Sequence, residues 1–94
     1  MSDESLSTAD LEAFQANLAT AISRARSLDD IKAYLKSQRR VQSVELADYL
    51  LKSNPPQRDL IVEFSMQDGS TIRKIVNIFE LGNQRFRFHK LRDR

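Results

Sequence analysis

Gly69 and Gly82 are the only glycines in the chain, and each interrupts a run in which apolar and polar side chains alternate. Alternation of this kind marks half-buried strands, and glycine between two such runs marks a tight turn. Residues 58–92, RDLIVEFSMQDGSTIRKIVNIFELGNQRFRFHKLR, therefore predict three consecutive strands joined by two short turns. Everything else in the chain has to pack around that sheet.

Turn length sets the register. A two-residue turn at Asp68-Gly69 would place Phe64 opposite Arg73 and mix charge into the apolar face. A three-residue loop, Gln67-Asp68-Gly69 with glycine in the left-handed position, pairs Phe64 with Ile72 and Leu60 with Val76, and sets Glu63 against Arg73. A slip of one residue turns a strand over, so only the three-residue loop yields one apolar face. The same reasoning at Leu81-Gly82-Asn83 pairs Ile78 with Phe86 and Val76 with Phe88. The expected inner face is then Leu60, Val62, Phe64, Met66, Ile72, Val76, Ile78, Phe86 and Phe88, with Lys74 as a misfit that must reach the sheet margin.

Upstream the period changes. Leu11, Phe14, Leu18, Ile22 and Ala25 recur at three- and four-residue steps, alanines lie between them, and Ser7 can cap, so a helix is predicted over residues 8–25. Ser27 caps a second, over 28–37, with Asp29 and Asp30 in its first turn and Lys32 and Lys36 later. Residues 41–52 are readable either way: Leu46, Ala47, Leu50 and Leu51 suit a helix, whereas Val41, Val44 and Tyr49 suit a strand. A strand is preferred because a fourth would widen a small sheet. Asn54-Pro55-Pro56 ends the segment under both readings.

Residues 1–94 thus predict a single small α+β domain: a flexible tail over 1–6, a helical layer over 8–37, and an antiparallel sheet over 41–92. Two N-terminal helices pack on one face of a four-stranded antiparallel meander. The layout is similar to cystatin-like domains as architecture, and architecture does not carry function.

Several function classes drop out on composition. There is no cysteine, so neither a disulfide framework nor a cysteine zinc site is available. The acidic, polar start is unlike a signal peptide, and no apolar run is long enough to span a bilayer, so a soluble cytoplasmic protein is expected. His89 is the only histidine, and Asp59, Glu63 and Glu80 are scattered without an obvious catalytic partner. The turns QDGS and LGNQ match no phosphate loop. No catalytic, cofactor-binding or metal-binding residue is assigned, and the chain is expected not to be an enzyme.

What remains is surface. Residues 1–30 hold six acids and two bases, whereas residues 31–94 hold thirteen bases and seven acids. The outer sheet face collects Ile61, Glu63, Ser65, Arg73, Ile75, Asn77, Phe79, Arg85, Arg87, His89 and Leu91. Within it, Ile61, Ile75 and Phe79 form an apolar centre rimmed by Arg73, Arg85, Arg87 and His89, a composition that suits an interface. The leading expectation is a non-catalytic domain that binds a protein partner, or a second copy of itself, through these seven residues. The first alternative is nucleic-acid binding through Arg73, Arg85, Arg87 and Lys90. The second is a small-molecule or enzyme pocket between helices and sheet.

Overall fold

The computed structural model describes residues 8–49, 51–66 and 68–93, with side chains from residue 12 onward. The expected tail and the Ser7 cap lie outside them. The chain runs α1 (Thr8–Arg24), α2 (Leu28–Lys36), β1 (Val41–Leu46), β2 (Gln57–Ser65), β3 (Thr71–Gly82) and β4 (Arg85–Asp93). All four strands pair antiparallel in sequence order, so the fold is the expected α+β meander with both helices on one face. α1 lies chiefly over β4 and α2 over β1.

Helix register follows the apolar spacing. Leu18 and Ile22 of α1 and Ile31 and Leu35 of α2 are fully buried, and the Phe14 ring meets Phe64 edge-on at 5.4 Å. Ser27 Oγ accepts the Asp30 amide at 3.1 Å while Asp30 Oδ2 accepts the Arg26 amide at 3.0 Å, so the bend between the helices is held from both sides. The strand reading of residues 41–52 holds for Val41–Leu46. Beyond it the Ala47 amide donates to the Asp59 carbonyl at 3.0 Å, and Leu51 forms an isolated bridge with Gln57.

The β2–β3 hairpin has the expected register: Phe64 faces Ile72, Leu60 faces Val76 and Glu63 faces Arg73. Gly69 takes a φ of 89°, the left-handed conformation that the three-residue loop requires. The β3–β4 hairpin differs from expectation. Ile78 pairs with Phe88, not Phe86, and Val76 pairs with Leu91, not Phe88. The turn lies later than expected, at Asn83-Gln84, and Gly82, Asn83 and Gln84 have φ of 85°, 53° and 59°. Moving the partner of Ile78 by two positions preserves which side each residue faces, so Phe86 and Phe88 still turn inward. Two irregularities then follow, one at Leu81 in β3 and one at His89 in β4. The second changes the parity of the strand: Leu91, expected on the outer face, packs against the core instead. Lys74 is accommodated at the sheet margin, as expected, by an ion pair with Asp93.

Gln84 carries a side chain in a conformation that glycine occupies without strain. The left-handed region costs an ordinary residue roughly 1–2 kcal/mol, part of which glycine returns through its freer unfolded state. Replacement Gln84→Gly is expected to raise the unfolding free energy by about 0.5–1 kcal/mol, read from urea titration; an unchanged or lowered midpoint would show that the side chain itself contributes to folding.

Candidate partner-binding face

The outer face carries no helix, yet its centre is buried. Asp59 is 0% exposed and Asn77 1%, and they sit opposite each other on β2 and β3. A buried carboxylate survives in such a place only when its lone pairs are used. Asp59 Oδ1 accepts Asn77 Nδ2 at 2.7 Å, and Oδ2 accepts both the Tyr49 hydroxyl at 2.7 Å and Arg92 Nη2 at 2.6 Å. Tyr49 arrives from the irregular segment after β1. Arg92 arrives because the irregularity at His89 has turned the end of β4.

The network continues outward. Asn77 commits its amide nitrogen to the carboxylate, so its Oδ1 is the atom that meets His89 Nδ1 at 2.8 Å. An amide oxygen can only accept, so His89 carries its proton on Nδ1 and leaves Nε2 as the outward nitrogen. His89 and Lys90 together occupy the place opposite Asn77, which lets the imidazole lie against Phe79, ring centres 4.5 Å apart. The Arg87 guanidinium lies 5.0 Å from the same ring centre, within cation–π range.

The seven expected site residues separate into groups. Phe79, Arg87 and His89 form one cluster. Ile61 and Ile75 are direct partners across β2 and β3, but Ile75 is only 8% exposed, so Ile61 and Phe79 present most of the apolar surface. Arg73 is tied to Glu63 at 2.7 Å, beside a small cleft of about 150 Å³ that Ser43, Glu45 and Ile61 also line. Arg85 stands apart, near the β3–β4 turn. Asn77 was expected on this face but not as a site residue, and Asp59, Tyr49 and Arg92 were not expected there. Asp59 opposite Asn77 follows from the register that pairs Glu63 with Arg73, so half of that network had a signal in the sequence.

Comparison with family models, with curated proteins and with solved structures finds no match. Function has to be reasoned from this geometry. Among the described residues, no three His, Asp or Glu side chains converge as a metal site, and no helix is long and apolar enough to cross a membrane.

Two outcomes test this description. Asp59→Ala strands Asn77 and removes the counter-charge of Arg92, and is expected to lower the unfolding free energy by about 2–4 kcal/mol, short of the full range for broken buried pairs because Arg92 can turn to water. A loss below about 1 kcal/mol would place the network outside the folding energetics. Glu63 is held below the usual carboxylate range by hydrogen bonds from Ser43 and then Arg73. With the folded value depressed, its contribution is complete above the unfolded carboxyl value of ~4.3 and is lost as pH falls through the folded one. The urea midpoint of Glu63→Gln should lie below the parent at neutral pH, and the gap should close as pH falls through the depressed folded value; a gap that persists once the carboxyl is protonated would assign it to packing.

Proposed function

We propose that this chain is a non-catalytic binding domain that docks protein through the outer face of its sheet, and that a second copy of itself is the occupant the face fits best. The observation that carries the proposal is one row of paired residues across all four strands: Glu45, Ile61, Ile75 and Arg92. Acid stands at one edge, base at the other, and two isoleucines at the middle. A two-fold axis in the interface, parallel to the strands, brings β1 of one copy over β4 of the other. Glu45 then meets the partner's row at Arg92 while the isoleucines meet each other. Isologous pairing of this kind needs a self-complementary patch. Arg87 and Lys90 on the β4 side add positive charge to the same half, and Glu63 adds negative charge to the other.

The size of the face sets the strength. Four strands about 4.8 Å apart and roughly 30 Å long offer on the order of 500 Å². A standard interface covers ~800 Å² a side, so association should be weak and concentration-dependent, roughly tens to hundreds of micromolar. Nucleic acid fits less well: Phe86 and Phe88 face the helices, and Phe79 already carries a guanidinium and an imidazole. A reducing, cytoplasmic setting belongs to the same proposal, supported by a sequence without cysteine.

Sedimentation equilibrium across a wide concentration range tests it. The parent should show a monomer–dimer equilibrium that Ile61→Asp abolishes and Glu45→Lys weakens about tenfold, both variants melting cooperatively. A parent that stays monomeric at about millimolar concentration, or a dimer indifferent to both substitutions, would refute it.

A further inference from the structure

Two open clefts meet at the β3–β4 turn, away from the central row of the sheet face. One, of about 500 Å³, is lined by Arg24 and Arg26 from the end of α1 and its link to α2, and by Asn83, Gln84 and Arg85 from the turn. The other, of about 520 Å³, is lined by Pro55, Pro56, Leu81 and Phe86 and shares Gln84 and Arg85 with the first. The first cleft is basic and polar, with no carboxylate among its lining residues. None of its three arginine side chains is in an ion pair among the described residues. The second is mainly apolar, and its one acid, Glu80, is already bound to Arg58 at 3.3 Å.

The negative pole of α1 accounts for cations at Arg24 and Arg26. It does not account for Arg85, which comes from another element, nor for the apolar cleft beside it. Leu81 is 45% exposed because the irregularity in β3 turns it out of the pleat. Gln84, held in the left-handed region, presents its side chain to both clefts. Like charges from separate segments converge favourably where an anion is to be bound, and guanidinium groups suit carboxylate geometry. Both clefts are open along one side, which suits an extended chain better than an enclosed small molecule.

We infer that the joined clefts dock an extended acidic peptide segment of a partner protein, its carboxylates on Arg24, Arg26 and Arg85 and an adjacent apolar side chain on Pro55, Pro56 and Leu81. Charge complementarity selects the acid, and the neighbouring apolar cleft selects an apolar side chain next to it. Recognition depends on salt, because the arginines are exposed.

The test is fluorescence anisotropy of a short labelled peptide alternating glutamate and leucine, titrated with the full chain at low and high salt. Saturable binding is expected, weakened by salt and weakened about tenfold by Arg85→Ala and by Leu81→Ser, with melting temperatures close to the parent. Polyglutamate of the same length should bind more weakly. The inference is overturned if the peptide does not saturate, if neither substitution weakens it, or if polyglutamate matches it. It is likewise overturned if single-stranded oligothymidylate or phosphatidylserine vesicles displace the peptide and bind more tightly, which would assign the arginines to nucleic acid or membrane. Neither substitution touches Ile61 or Glu45, so this result and the dimer measurement can fail separately.

Discussion

The left-handed glycine between β2 and β3 decides more of this molecule than any other residue. With Gly69 at positive φ, the loop holds three residues, Phe64 meets Ile72, and the even-numbered positions of both strands turn toward the helices. A loop one residue shorter would turn β3 over, burying Arg73 and exposing Ile72 and Val76. The helices could not remain where they are, because Leu18, Ile22, Ile31 and Leu35 bury against those even-numbered residues. The same register puts Asp59 opposite Asn77 on the other side. One turn therefore sets both the apolar layer and the polar network.

That polar network is an unusual use of a sheet face. A carboxylate with no exposure is a liability unless its partners are held in place. Here the three donors come from three different segments: the loop after β1, the middle of β3 and the end of β4. The interaction is thus a check on long-range assembly, since Asp59 is satisfied only when all of them have arrived. It also positions the surface above it. Fixing the Asn77 amide fixes the His89 tautomer, and His89 in turn lies on Phe79.

Much of this was legible from residues alone, for a physical reason. Helices and the β2–β3 hairpin are specified by local spacing: Leu18 to Ile22, Ser27 to Asp30, Phe64 to Ile72 around Gly69. β4 is specified differently. Its apolar residues, Phe86, Phe88 and Leu91, do not keep a constant step, and strict alternation had sent Leu91 outward. The chain restores an inward Leu91 by inserting His89 as an extra residue, a solution that depends on what α1 and β3 offer across the strand. No local pattern announces it. The position of Arg92, and with it the third partner of Asp59, was hidden for the same reason.

Both places where β3 and β4 break their ladder coincide with the surfaces argued to bind. An irregularity forfeits regular ladder hydrogen bonding and bends the strand, and it persists when the redirected side chains gain more than the ladder loses. At His89 the gain is internal: Arg92 reaches a buried carboxylate, and Leu91 enters the core. At Leu81 the gain is internal as well: after the two-residue turn at Asn83-Gln84, the extra residue sets Phe86 opposite Glu80 and Phe88 opposite Ile78, so both rings face the helices. Leu81 itself is left exposed beside Pro55 and Pro56. Three consecutive residues at positive φ follow immediately, two of them not glycine. A folding argument accounts for both irregularities, but the second leaves one large apolar side chain, Leu81, outside the core. That exposed side chain, in a cleft that Arg85 also lines, is the physical reason to look outside the chain for what the β3–β4 turn contacts.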